Sequence, residues 1–299
     1  MEVANFNMLS AILSELHRKA WISRRRHKRN RWAGPRCCSW VPACQTEVIC
    51  LYPDGVRHFE KIDRRILSLF ADRELHTYLI PVLIPGDVLP RCGFFESFPH
   101  QLMAVATLYG DDRKAFADGG EVRLQSFVVQ DRHLTPAACL PAYPMFEAAP
   151  APVDSTVTLP ARVYRRETDA HPPIVRLADY SVREFIFVST ECFVRETLAY
   201  TKKPAMILAA DLVADRALVV AQDDFFPSIK ERVQQGNARK HELTADIAGT
   251  HVALASFNYH HWHVSTEFAF EADGIVVSGC AGFGPERGLA AMRQAGTLQ

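Results

Sequence analysis

The sequence predicts an α+β fold, an antiparallel sheet flanked by helices, and three observations carry that reading. Segments rich in Val, Ile, Phe, Thr and Tyr recur at 156–164, 182–189, 216–222, 251–259, 266–271 and 275–280, several with alternating apolar and polar side chains. Few helical segments separate them, which favours antiparallel pairing over a strand–helix–strand alternation. The chain has 299 residues, 48% of them hydrophobic, which is enough for one large core or two small ones.

Taken in order, residues 1–16 form a short amphipathic helix on this reading, with Phe6, Leu9, Ile12 and Leu13 at helical spacing. The basic run SRRRHKRNRW at 23–32 is either a solvated, disordered extension or a contact for RNA or an acidic partner. The expected organisation is therefore a basic extension at 1–50 ahead of a folded domain at 51–299. In VRHFEKIDRRILSLFA (56–71), Phe59, Ile62, Ile66, Leu67 and Phe70 follow the period of a core-facing helix. After the apolar run YLIPVLIP (78–85), Pro99 suits the first turn of a helix through Leu102, Val105 and Leu108. The Pro/Ala-rich stretch 141–154 reads as a loop or linker, a helix is expected near 190–212, and a last one begins at Pro285.

Bulk properties exclude several classes. Lys plus Arg and Asp plus Glu both number 34, so extensive polyanion binding gets no support from net charge. The eight cysteines are too irregularly spread for a secreted disulfide framework, and reduced cytoplasmic thiols are the simpler expectation. No stretch approaches the roughly 18 apolar residues of a membrane span. The N-terminus also lacks the charged start of a secretory signal.

Each chemical motif is modest alone. GFGPER (282–287) is a strand-to-helix turn followed by an arginine, YRRE (164–167) could be salt-bridged surface, and scattered cysteines such as Cys139 and Cys280 are usually buried small residues. Their order is more specific. YRRE, then VRLADYSVREF, then GFGPER resembles motif 2 followed by motif 3 of the class II aminoacyl-tRNA synthetases. SFPH (97–100), TPAACLPAYP (135–144), VREFIFV (182–188), DDFF (223–226), KHEL (240–243), ASFNYH (255–260) and SGCAGFGPER (278–287) narrow it. Together they resemble the seryl-type branch and, within it, the truncated amino acid:[carrier protein] ligases, over roughly residues 56–297.

The resemblance implies a class II synthetase-like antiparallel sheet flanked by helices. It also implies ATP-dependent activation of a small amino acid as its adenylate, then transfer to the phosphopantetheine thiol of a carrier protein. On that pattern Arg165 would bind the α-phosphate and Arg287 the γ-phosphate, a task suited to the planar, always charged guanidinium. Glu167 would accept from the adenine amine, Tyr180 would stack on adenine, and Arg176 would lie near the phosphates. Magnesium would come with ATP. Zinc would sit on Cys139, Glu184 and Cys280, with the fourth position open to the substrate amine, as in working zinc sites. Glu184, Ser256 and Asn258 would face the substrate; Ser256 and Asn258 share a strand face, although satisfied polar residues on a half-solvated sheet would look the same. His260, His261 and His263 suggest a second metal, but adjacent strand histidines point to opposite faces. Lys230, Arg232 and Arg239 would meet an acidic carrier protein, or else belong to an ordinary solvated helix.

A homodimer is implied by the fold family, and tRNA is not expected as a partner because no long N-terminal helical hairpin is present. Two alternatives stand beside the ligase: a seryl-type tRNA synthetase and a non-catalytic regulatory paralogue. The sequence departs from the family pattern where D-P-F-F-G becomes DDFFP, with Asp224 for the proline and Pro227 for the glycine. The motif 2 loop keeps one arginine, and Ser181 stands where relatives often carry another.

Overall fold

The structure is a computed structural model that describes residues 40–42, 49–108, 127–149, 154, 156–166, 176–221, 240–247, 249–270 and 276–297. Ser39–Gln299 forms one compact unit. The expectations for residues 1–16 and 23–32 lie outside the described residues.

The centre is a seven-stranded sheet. It comprises β3 (Leu75–Thr77), β7 (Thr156–Tyr164), β8 (Asp179–Ser189), β12 (Val277–Phe283), β11 (Thr250–His261), β10 (Lys240–Ile247) and β9 (Arg216–Val220), in that spatial order. Only β3 runs parallel to its neighbour; every other pair is antiparallel. A three-stranded sheet has the order β4 (Leu83–Pro85), β6 (Phe127–Leu134), β5 (Met103–Leu108), and β1 (Trp40–Pro42) pairs with β2 (Ile49–Leu51).

Alternation along β8 gives the central sheet two different faces. Phe185 and Phe187 point into a core shared with Ile62, Ile66 and Phe70 of the helix α1 (Pro53–Leu67) and the 3₁₀ turn after it. Phe70 stacks on Phe185 with ring centroids 4.1 Å apart. The long helix α5 (Glu191–Ala210), capped by the Thr190 hydroxyl, and α7 (Pro285–Gln294) complete this layer. Ile186 and Val188 point the other way, into a second core with Cys139, Tyr143, Phe146, Phe268 and Cys280. Gly279 allows α5 its close approach: a Cβ there would meet Val194 Cγ1 and the Asn258 carbonyl at 2.9 Å.

Three expectations are corrected. The segment after Pro99 is a single 3₁₀ turn, Pro99–Gln101, followed by the strand β5 rather than a helix. MAVATL carries β-branched residues and pairs along β6, which outweighs the proline signal. Within the stretch expected as a loop or linker at 141–154, the residues up to Ala148 form a 3₁₀ turn, Leu140–Ala142, and the helix α4 (Tyr143–Ala148), with Tyr143 and Phe146 buried. Pro141 and Pro144 fall in the first turns, where a missing N–H is tolerated. Of the strand expected at 266–271, the described residues 266–270 are not one: β11 ends in an irregular pairing at Tyr259/His261, with His261 at φ 57, and α6 (His263–Glu267) follows.

Candidate active site

The site is assembled on the sheet face opposite α5. Glu242 lies opposite Ser256, Ser256 opposite Gly282, and Gly282 opposite Glu184, so these four positions form a row across β10, β11, β12 and β8 on one face. Two residues along, Asn258 lies opposite Cys280 on the same face. Cys139 arrives from elsewhere, at the entry to the 3₁₀ turn that follows β6. One sulfur each from Cys139 and Cys280 and a Glu184 carboxylate oxygen lie within 4.8 Å of one another, all three residues buried. Among the described residues this is the one His/Cys/Asp/Glu group so placed to hold a metal ion. Gly282 makes room for it, since a Cβ there would meet Glu184 Oε2 at 2.6 Å.

Crowding shows in the acidities. Burial pushes Glu184 up to about 7, against the opposing effects of its hydrogen bond with Cys280 and the nearby Arg165 charge. Cys280 is held well above the ordinary thiol range, chiefly by its hydrogen bond with Cys139, then by burial and by Glu184. The Cys280 thiol and the Glu184 carboxyl, buried side by side, resist ionisation until a cation joins them. Polar neighbours surround Cys280: Asn258 Nδ2 donates to its sulfur at 3.3 Å, and His260 Nε2 lies 3.4 Å away. His260 Nδ1 is 3.1 Å from Ser278 Oγ and 3.5 Å from the Tyr143 hydroxyl. Burial lowers His260 to about 4 and raises the Tyr143 hydroxyl well above its usual range.

A cavity of about 200 Å³ opens from this cluster and reaches Arg165, Tyr180 and Arg287. Arg165 Nε donates to the Pro136 carbonyl at 2.7 Å, and Arg287 Nη1 to the Ala253 carbonyl at 2.9 Å. Both guanidinium carbons lie 5.9 Å from the Tyr180 ring centroid. A second cavity, of about 400 Å³, shares Arg165 and Arg287 and adds Arg176. Three arginines therefore line one cleft beside the Cys–Glu–Cys cluster.

Of the residues singled out in the sequence, Cys139, Arg165, Arg176, Tyr180, Glu184, Ser256, Asn258, Cys280 and Arg287 all line these two cavities. Glu167, Lys230, Arg232 and Arg239 lie outside the described residues. The histidine cluster separates: His260 turns toward Cys280, whereas His261 packs on Tyr259 with centroids 4.4 Å apart. Sequence reasoning passed over Glu242, Tyr143 and His260 as neighbours of the site. Glu242 lines both cavities and lies 3.3 Å from Lys240 Nζ. The alternation of KHELTADI, with Leu243, Ala245 and Ile247 buried, was the signal that could have placed it.

A predominantly antiparallel sheet bearing this cleft is the class II aminoacyl-tRNA synthetase catalytic fold. M. kandleri SerRS, in its complex with A. aeolicus tRNASec, matches with a TM-score of 0.72 at 17% identity, over 86% of this chain and 55% of that one. Giardia lamblia prolyl-tRNA synthetase, in complex with prolyl-adenylate, matches with a TM-score of 0.61 at 16% identity, over 83% of this chain and 48% of that one. The chain thus spans about half the length of these synthetases, and the likeness is one of fold. No family model matches. Among curated relatives, amino acid–[acyl-carrier-protein] ligase 1 of Bradyrhizobium diazoefficiens is 30% identical over 251 residues, 78% of this chain and 76% of the relative. Ligase 2 of the same organism is 29% identical over 252 residues, 78% and 75% of the two chains. The chain belongs to the amino acid–[acyl-carrier-protein] ligase family.

Proposed function

We propose that this ligase activates a small amino acid with ATP and passes it to the phosphopantetheine thiol of a carrier protein. The observation that carries the reading is the convergence of Cys139, Glu184 and Cys280 beside Arg165 and Arg287 in one cleft. In the first step a carboxylate oxygen of the amino acid attacks the α-phosphorus of ATP and pyrophosphate leaves. In the second the carrier's sulfur attacks the acyl carbon, AMP leaves, and a thioester forms. No protein nucleophile is needed.

The chain's own groups match these demands. Arg165, whose charge acts on Glu184 and which lines the same cavity, is the cation for the meeting of carboxylate and α-phosphate. Arg287 and Arg176 line the wider part of the cleft, where the polyphosphate and departing pyrophosphate would be neutralised. Tyr180 offers adenine a ring between two arginines, with Glu167 accepting from its amine. Glu242 offers a carboxylate to the magnesium that accompanies ATP. Two thiolates and a carboxylate, three protein ligands with a position to spare, fit zinc. When bound it would act as a Lewis acid for a free α-amino group. Ser256 and Asn258 line the same cavity and are the proposed contacts for the substrate.

Lys230, Arg232 and Arg239 are the proposed contacts for an acidic carrier, a second copy of the chain is the proposed structural partner, and the cytoplasm the proposed location. Among the described residues no helix is long and apolar enough to cross a membrane. The experiment is amino-acid-dependent ATP–pyrophosphate exchange across all twenty amino acids, with zinc measured on the same sample, followed by transfer to carrier protein or to tRNA. Exchange with glycine or alanine, stoichiometric zinc and a carrier thioester are expected. Absence of exchange with every amino acid would revive the non-catalytic paralogue, and aminoacylated tRNA without thioester would reverse the choice of acceptor.

A further inference from the structure

We propose that His260 is a positioning residue for the metal centre, one that donates from Nε2 to the Cys280 sulfur and thereby fixes that ligand's orientation and charge. The proposal rests on the zinc reading above and goes beyond its ligand set. His260 does not belong to the group of atoms that converge within 4.8 Å, so it is a neighbour of the ligands and not one of them. Its Nε2 lies 3.4 Å from Cys280 Sγ, within range of an N–H to sulfur hydrogen bond.

The opposite side of the ring accommodates that tautomer. Nδ1 faces two hydroxyls, Ser278 Oγ at 3.1 Å and Tyr143 at 3.5 Å. The Ser278 hydroxyl can donate to a bare ring nitrogen or accept from a protonated one, whereas a metal-bound thiolate can only accept. The sulfur therefore sets the tautomer: the ring's proton is on Nε2, aimed at sulfur, and Nδ1 accepts from Ser278 Oγ. Tyr143 is buried beside Phe268 and Phe270, with centroids 5.6 and 6.2 Å away, so this anchor is rigid.

The chemistry gives the contact a purpose. Two thiolates and a carboxylate bring three negative charges to a doubly charged ion, which weakens its pull on an amine. An N–H bonded to sulfur draws charge from the thiolate and restores that pull, the usual task of groups behind a ligand. Asn258 Nδ2, 3.3 Å from the same sulfur, acts in the same direction.

The test uses the purified full-length protein and zinc or cobalt(II) as the probe. Chelator competition on His260→Ala should show zinc affinity about 10–100-fold weaker, the range for lost partners of ligands. The cobalt(II) form should show a shifted sulfur-to-metal charge-transfer band, which a merely structural core histidine would not move. His260→Gln keeps an N–H for sulfur and His260→Met does not, although the two are close in size. Gln should recover most of the affinity and the band position, and Met should not. Equal zinc affinity and an unchanged band in His260→Ala would overturn the proposal and leave the zinc site standing. If His260→Ala does not fold, the Gln and Met variants decide, and equal behaviour of the two overturns it. A wild-type protein that binds no zinc would sink the zinc reading itself and this inference with it.

Discussion

Gly282 shows how one missing side chain shapes the site. It lies opposite both Ser256 and Glu184, and a methyl there would come within 2.6 Å of Glu184 Oε2. Gly282→Ala must displace the carboxylate or the strand, so metal affinity is expected to fall by one to two orders of magnitude while the fold survives. Elemental analysis and circular dichroism on one preparation check both halves. Glu286, beside Arg287, makes a different prediction. It accepts from Ser181 N at 2.8 Å and meets Arg162 at 3.4 Å, and Arg162 is shared with Asp179. Burial nevertheless raises its pKa above 4.5, outweighing those contacts. The folded state therefore holds this proton to higher pH than the unfolded chain does. Its contribution to stability is full below about 4.5 and is lost as pH climbs through the raised folded value. Glu286→Gln should remove that slope, so the stability difference between wild type and variant should shrink or reverse with rising pH. Urea titrations at several pH values measure it, and parallel curves would refute it.

At the scale of elements, α1 is clamped to the sheet at one partly buried point. Arg183 of β8 donates from Nε and Nη2 to the two carboxylate oxygens of Asp63, at 2.8 and 2.6 Å. Arg183 is 8% exposed and has no easy route to water once its partner is gone. Asp63→Ala should cost on the order of 3 kcal/mol, because it strands a charge, while replacing both partners by Leu and Met should cost much less. Thermal melts of the single and double variants separate the two effects. The helix α1 was legible from apolar spacing and α7 from Pro285 at its start, α5 was expected near its observed range, and β7 was found to the residue. The misread elements share a cause. MAVATL, YPMFEA and HVSTE are short, so local propensity is weak, and their state is decided by a partner strand or a core that a sequence window does not contain. The convergence of Cys139, Glu184 and Cys280 was legible because motif order carried these residues. The contacts of His260 depend on which strands pair, and pairing is invisible in one dimension.

At the scale of the molecule, the small sheet of β4, β6 and β5 carries several exposed apolar side chains. Leu83 of β4 and Phe127, Val128 and Val129 of β6 are all exposed, Val129 by 66%. Val128 and Val129 sit opposite Thr107 and Ala106 of β5, which are exposed as well and give them no cover. Scattered apolar residues on a surface need no explanation, but Phe127 and Val129 share one face of β6, and two large exposed apolar side chains side by side there point to a partner surface. The two large cores lie around the seven-stranded sheet and draw little on these side chains. A second copy, related by a two-fold axis, would bury the same residues on both sides, the commonest way such a patch is closed. The wild-type protein is therefore expected to sediment as a dimer at micromolar concentration. Val129→Asp, which places a charge where each copy would face the other, should shift it toward the monomer without a large change in the thermal midpoint of the isolated subunit. Because the metal cluster and the arginine cleft are built wholly within one chain, the monomeric variant should still bind zinc. A wild type that sediments as a monomer at all concentrations would leave the patch to another partner.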